Sequence, residues 1–479
     1  MQHSYRQQAD LLEREIRAGS YQVGERLPSV RVFAGAQQVS VSTAIRCYRY
    51  LESLGLVEAR NKSGIYVADW KSRTKQPDHG SKTKNHPPVV EYDKLMSLQH
   101  RMTELYSLTA QPLQWGLHLA SAAPEWYPCE ALSKIAQRQL RQQPLQIGEY
   151  PTGTGLPALK TSLVQWLATC GVDLAPADLL VTNGSTEALS VALRAVAQPG
   201  EAVIVESPVY FGLLQTIENL GLKAIEIPCV PGAGISLEAL EYALEHQSGV
   251  RAVVAMPNFQ NPLGCAMPEK NKRRLLKLVE QHDLALIEDD VFGDLSHQQE
   301  RPQPVKAWDR QGRVIYCGSC SKSLAPGFRI GWIAGGRYQA RITSLKLTSS
   351  LITPLFEQAV LAEFMQSGAL PSHIRKLRER LAANIPLAKA AIERYFPLGT
   401  QVVSPAGGWW LWLELPEQVD SLVLLRRAVG QGIAFTPGSL FSGSGKYANY
   451  LRMNIGRPWG REMEQGIKVL GKLAREFSG

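Results

Sequence analysis

The 479-residue chain is poor in three features that would narrow its class. It has no run of 18 or more apolar residues, which argues against a membrane-spanning helix. Its opening stretch, "MQHSYRQQADLLEREIRAG", is charged and lacks the apolar centre of a secretory signal. Its seven cysteines are scattered and odd in number, so a disulfide framework is not expected, and Cys317 and Cys320 make a lone CxxC pair without a second. A reducing cytoplasm is the expected compartment. Acidic excess is missing as well. The net charge is +9, and residues 1–84 hold 14 Lys/Arg against 8 Asp/Glu, so most of the basic surplus sits in a small N-terminal segment. Such a local surplus points to nucleic acid or another anionic surface.

The length calls for more than one domain. From Tyr5 to about Gly19, Leu11, Leu12 and Ile16 fall at helical spacing. Pro28 and Ser29 introduce a second helix with Val32, Phe33 and Ala36 expected inside. Ser40 is placed to cap a third, running to about Gly55, with Ala44, Ile45, Tyr48 and Leu51 inside and Ser42, Thr43, Arg46 and Arg49 outside. "LVEARNKSGIYVA" predicts two short strands around a polar turn at Asn61–Gly64. Helix, turn, helix and hairpin make a winged helix-turn-helix over 1–70. The stretch "WKSRTKQPDHGSKTKNHPP" has turn-forming and basic residues but almost no aliphatic ones. With the helix predicted in "EYDKLMSLQHRMTELY", it forms a linker over 71–112.

Over 113–479 the pattern is that of a large α/β domain. Strand-like "LLVTNG", "AVIVES", "RAVVAM", "LALIED" and "RVIYCG" alternate with helical stretches, and several end in Gly, Ser, Asn or Asp. "TNGSTEAL" sets Gly184, Ser185 and Thr186 where a strand meets a helix, a place that can cradle phosphate or simply cap the helix. Tyr210 in "ESPVYFG" can stack on a flat ring or fill a core. Asn261 in "NFQNPLG" can aim an amide at a ring hydroxyl. "LIEDDVFGD" ends a strand with three acids, and a carboxylate held there can face a protonated pyridine nitrogen or water. In "GSCSKSLAPGFRIGW", Lys322 has an amine suited to a Schiff base, with Ser319, Ser321 and Arg329 as phosphate contacts. Arg452 in "YLRMNIGRP" can clamp a carboxylate.

Taken in order, these runs resemble the fold-type I pyridoxal-phosphate aminotransferases. The resemblance implies a mixed, mainly parallel sheet and pyridoxal 5'-phosphate as cofactor. It further implies Asp289 on the pyridine nitrogen, Asn261 on the ring hydroxyl and Lys322 as covalent anchor. Tyr150 matches the family tyrosine that reaches the phosphate of a neighbouring subunit, which makes a homodimer expected. One family element is missing: where a tyrosine is expected two or three residues after the aspartate, this chain has Val291 and Phe292.

The head, through "GERLPSVR", resembles the GntR-type winged helix. By that resemblance Ser29, Arg31, Ser42, Thr43, Arg46 and the wing at Lys62 face double-stranded DNA. A GntR-type head on an aminotransferase-like body is similar to the layout of MocR-type transcriptional regulators. That layout implies a homodimer on two half-sites and an amine or amino-acid effector. The sequence leaves open an aminotransferase with an accessory DNA module, and a repressor without cofactor.

Overall fold

The computed structural model describes residues 5–18, 20–53, 56–60, 64–68, 92–143, 148, 153–298 and 300–478. The chain divides into two units, Met1–Asn85 and His86–Gly479.

The first unit contains α1 (Tyr5–Ala18), α2 (Val30–Ala36) and α3 (Val41–Ser53). An antiparallel pair follows, β1 (Val57–Arg60) and β2 (Gly64–Val67), in register from Val57↔Val67 to Arg60↔Gly64. Ser40 starts α3 as its composition suggested, its Oγ accepting the Thr43 amide at 3.1 Å. Leu12, Ile16, Phe33, Ala44, Cys47, Tyr48 and Leu51 form the core with Leu27, Val57 and Val67. Tyr48 also donates its hydroxyl to the Pro28 carbonyl at 2.7 Å, fixing α3 against the start of α2.

Three inner-face expectations fail. Val32 is 63% exposed and Ile45 38%, and Ala36 is exposed too. Leu11, on the helical spacing of α1, also faces out. The seven-residue α2 turns only Phe33 and Ala34 inward, while 44, 47, 48 and 51 on α3 form one narrow helical stripe that passes beside 45.

In the second unit α4 (Tyr92–Thr109) buries Leu98, Met102 and Leu105 in the largest core cluster. Glu104 pairs with Arg426 at 2.5 Å, and Arg101 Nη2 donates to the Ser442 carbonyl at 3.3 Å. The connecting helix is therefore packed into the body. After the short β3 (Trp115–Gly116) comes the main sheet. Its strands are β4 (Leu179–Thr182), β5 (Ala202–Ser207), β6 (Lys223–Val230), β7 (Gly234–Ile235), β8 (Val250–Ala255), β9 (Ala285–Asp289), β10 (Val314–Ser319) and β11 (Gly331–Ala334). They lie in the order β4-β11-β10-β9-β8-β5-β6-β7. The pairs from β10 through β9, β8 and β5 to β6 are parallel, and β11 runs antiparallel to both its neighbours.

Both faces are covered. On β5, Val203 and Val205 join one core cluster while Ala202 and Ile204 join another. That explains why the strand sequences are apolar throughout instead of alternating. A smaller antiparallel sheet has β12 (Gln401–Val403), β13 (Trp410–Glu414), β15 (Thr436–Pro437) and β16 (Tyr450–Asn454) in the order β12-β13-β16-β15. The intervening β14 (Ile433–Ala434) pairs with β3. Among the described residues no helix is long and apolar enough to cross a membrane.

Candidate functional site

Parallel strands discharge their polar ends on one side of a sheet, and one group of buried polar residues gathers there. A cavity of about 150 Å³ is lined by Ser185, Thr186, Tyr210, Asn261, Asp289, Ser321, Lys322 and Arg329, together with Val291 and Phe292.

Gly184 opens the helix Gly184–Val196 with φ +76. A Cβ there would collide with Nη2 of Arg329, so only glycine lets the guanidinium approach the helix start. Arg329 donates in turn to Ser321 Oγ at 3.0 Å. A helix N-terminus, three hydroxyls and a guanidinium come together here, an arrangement suited to an anion. Ser319 stands behind it: its Oγ accepts the Ser321 amide at 3.0 Å and lies 3.0 Å from the Ile330 carbonyl oxygen. It shapes the turn and is not among the cavity's lining residues.

Asp289 ends β9, and its Oδ1 is buried without a hydrogen-bond partner. Burial pushes its carboxyl up to about 7, with Asp290 adding to the rise and Lys322 opposing it. The other acids of that run serve elsewhere. Glu288 accepts the amides of Val305 and Lys306, at 2.7 and 2.8 Å. Asp290 bonds Arg301 at 2.6 Å and Tyr316 at 2.8 Å.

Lys322 donates from Nζ to the Ala120 carbonyl at 2.6 Å. Burial lowers its pKa to about 8, followed by repulsion from Arg452 and Arg329, against which Asp289 pulls upward. About a fifth of such an amine is neutral at pH near 7.4, far more than of an ordinary lysine, and can act as a nucleophile. Phe292 packs edge-on against Trp410, with ring centres 4.4 Å apart, and its own ring centre lies 5.5 Å from the Lys322 ammonium.

Arg452 occupies the middle of β16, between Trp412 of β13 and Thr436 of β15, and is 2% exposed. It donates to Asn261 Oδ1 at 2.8 Å and, through Nη2, to the His118 carbonyl and Thr436 Oγ1, both at 3.2 Å. The Ala120 and His118 carbonyls escaped the sequence reading because backbone acceptors carry no residue signature.

In the head, Ser29 accepts the Val32 amide at 3.4 Å as the cap of α2, and Arg31 is exposed. Thr43 Oγ1 lies 2.8 Å from Ser40 Oγ. Ser42 and Arg46 are on α3, but their side chains fall outside the described residues, as do Lys62 and Tyr150 entirely.

Residues 119–467 match the model of aminotransferase class I and II, and residues 4–67 match that of bacterial regulatory proteins of the gntR family. Across nearly its whole length the chain is 35% identical to the uncharacterized HTH-type transcriptional regulator YjiR of Escherichia coli, covering 98% of both chains. It is also 30% identical to the regulatory protein MocR of Rhizobium meliloti over 90% of this chain and 86% of that one. The chain belongs to the MocR-type transcriptional regulators. Its MocR-type body also superposes on LysN, the α-aminoadipate aminotransferase of Thermus thermophilus, solved with N-(5'-phosphopyridoxyl)-L-leucine. That match has a TM-score of 0.72 and 26% identity, over 79% of this chain and 95% of LysN. The MocR-type layout thus joins a GntR head to an aminotransferase fold in one polypeptide.

Proposed function

We propose that this regulator binds pyridoxal 5'-phosphate in the 150 Å³ cavity and uses it to sense a small amine or amino acid. The observation that carries the reading is the meeting of Lys322, Asp289 and the Ser321–Arg329 cradle in one cavity. The residues fit the group on two counts. The buried, unpartnered Oδ1 of Asp289 needs a donor such as a protonated pyridine nitrogen. Gly184 keeps the helix start open beside Arg329, leaving room for a phosphate.

When bound, the cofactor supplies an aldehyde that condenses with primary amines. Lys322 is its covalent anchor. Ser185, Thr186, Ser321 and Arg329 hold the phosphate, Tyr210 stacks on the ring, and the Asn261 amide donates to the ring oxygen. Ser319 supports Ser321. Arg452 receives the carboxylate of an amino-acid effector. Tyr150 belongs to the phosphate site of a neighbouring copy in a homodimer. An effector amine that took the place of Lys322 would free its side-chain amine, and the body would pass to a state with a different affinity for effector. The paired heads then meet two DNA half-sites differently, through Ser29, Arg31, Ser42, Thr43, Arg46 and Lys62. The cytoplasm is the compartment such a regulator needs.

Turnover is a second reading, favoured by the presence of both Lys322 and Arg452. Phe292 weighs against it, since the wall there offers no hydroxyl to tune the ring oxygen.

The test is an absorption spectrum of the purified protein with pyridoxal phosphate, then borohydride reduction and peptide mass spectrometry. Fixation on Lys322 is expected. A colourless protein, or label on another lysine, would overturn the assignment.

A further inference from the structure

The candidate cavity has a small annex. Glu206, Tyr210, Met256, Asn261 and Asp289 line a recess of about 10 Å³, and all of these except Glu206 line the first cavity too. The recess has room for at most one water, so Glu206 acts on the site only through its neighbours.

Glu206 stands one residue before the end of β5 and is 3% exposed. Its Oε2 accepts the Met256 amide at 3.1 Å and Gln260 Nε2 at 3.4 Å. Gln260 also donates to the Pro208 carbonyl at 2.6 Å and accepts the Leu263 amide at 3.0 Å. Met256 in turn receives the Asn261 amide on its sulfur at 3.2 Å. One buried carboxyl thus ties the end of β5 to the turn that follows β8. The first segment leads into Tyr210, and the second carries Asn261.

Burial, opposed by these two hydrogen bonds and then aided by the charge of Asp289, pushes the Glu206 carboxyl up to about 8. Near neutral pH most molecules keep that proton, and the group presents a carbonyl oxygen to its two donors. A glutamine amide can do the same, and a leucine cannot. Buried donors that lose their acceptor are costly, so the two segments would shift to find another.

We propose that Glu206 is a positioning residue for the cofactor site, holding Tyr210 and Asn261 in place from behind. The inference rests on the cofactor reading given above and adds to it a residue that touches no cofactor atom. Its hydrogen bonds fix the stacking ring of Tyr210 relative to the Asn261 amide.

The experiment compares the parent full chain with Glu206→Gln and Glu206→Leu. Amide hydrogen exchange is measured first, without cofactor. Peptides spanning 207–210 and 256–264 should exchange faster in Glu206→Leu and at the parent rate in Glu206→Gln. Pyridoxal phosphate is then titrated, following the visible band and its induced circular dichroism. Affinity should fall about tenfold or more in Glu206→Leu and stay within about twofold of the parent in Glu206→Gln. The dichroism per bound cofactor should drop only in Glu206→Leu. Because an apolar residue at 206 can disturb folding, Gln260→Met is a second variant, expected to behave like Glu206→Leu. Unchanged exchange in both apolar variants, parent-like cofactor binding by them, or an equal loss in Glu206→Gln would overturn the proposal. Failure of both apolar variants to fold would overturn it as well, since the network would then serve the whole domain. A parent that takes up no cofactor, with exchange as expected, would refute the cofactor reading itself and this proposal with it.

Discussion

Arg452 on β16 donates to Asn261 Oδ1 at 2.8 Å, joining the small sheet to the turn that follows β8. With that oxygen engaged, the Asn261 amide nitrogen is the donor that the proposed cofactor's ring oxygen would meet. Removing the amide strips a buried guanidinium of one acceptor. Asn261→Ala should therefore lower stability by about 1.5–3 kcal/mol, the range for hydrogen bonds to charged groups. Urea unfolding of the cofactor-free protein measures this, and a change below the error of the fit would show that Arg452 re-pairs.

Phe292 offers no hydrogen bond to the ring oxygen. Phe292→Tyr places a phenol in the cavity wall, where it can donate to that oxygen and favour its deprotonated form. A bond to a charged group contributes about 1.5–3 kcal/mol and each pKa unit is about 1.4 kcal/mol. The visible band of the cofactor-loaded protein should titrate about one unit lower in the variant. An unmoved midpoint, or rapid transamination by the parent protein, would favour the turnover reading.

The Asp289 carboxyl, raised from 3.8 to about 7, predicts a pH dependence of cofactor-free stability. The folded state holds this proton more tightly than the unfolded chain does. Its contribution is complete below pH 3.8 and is lost as pH rises through about 7. Asp289→Asn removes that loss. The variant should gain on the parent between pH 5 and pH 8, by about 2 kcal/mol, and thermal melts at the two pH values read the gain. A constant difference would mean that the carboxylate is already compensated, with Lys322 the nearest source.

The proposed DNA contacts divide by kind. Arg46→Ala should cost about 1–3 kcal/mol and relax preference at one base position. Arg31→Ala should weaken all sequences alike and reduce the salt slope by about one. Electrophoretic shifts on the native operator and a scrambled one at several salt concentrations tell these apart. Unchanged binding by both variants would refute the docking of the head.

Much of this was legible in the sequence for a physical reason. The central strands are buried on both faces, so "AVIVES" and "LALIED" read as continuous apolar runs, and the polar last residue of "LALIED" pointed to the edge where the cavity lies. The Gly184 run and Arg329, far apart in sequence, meet at one helix start, so that the run reads as more than a helix cap only once Arg329 is placed beside it. The failures are just as physical. Ser319 looks identical to Ser321 in sequence, but the turn faces one to the cavity and the other to the Ile330 carbonyl. Three acids in a row could not be assigned one by one, because their separate partners come from distant segments: the amides of 305 and 306, and Arg301. Ile45 and Val32 were misplaced because a helix in a small head buries only a narrow stripe.

The close approach at Gly184 also has a genetic consequence. Its positive φ and the nearness of Arg329 exclude every larger residue, and a Cβ on Gly331 would meet the Gly184 backbone carbon at 2.6 Å. Changes at either glycine should damage the body while sparing the head, which belongs to a separate unit with its own core. Under the proposed function, mixed dimers in a cell carrying both alleles would still occupy DNA but answer the effector poorly. A screen for dominant alleles that no longer answer the effector should therefore return these two codons repeatedly, whereas recessive alleles should cluster in the core of the head.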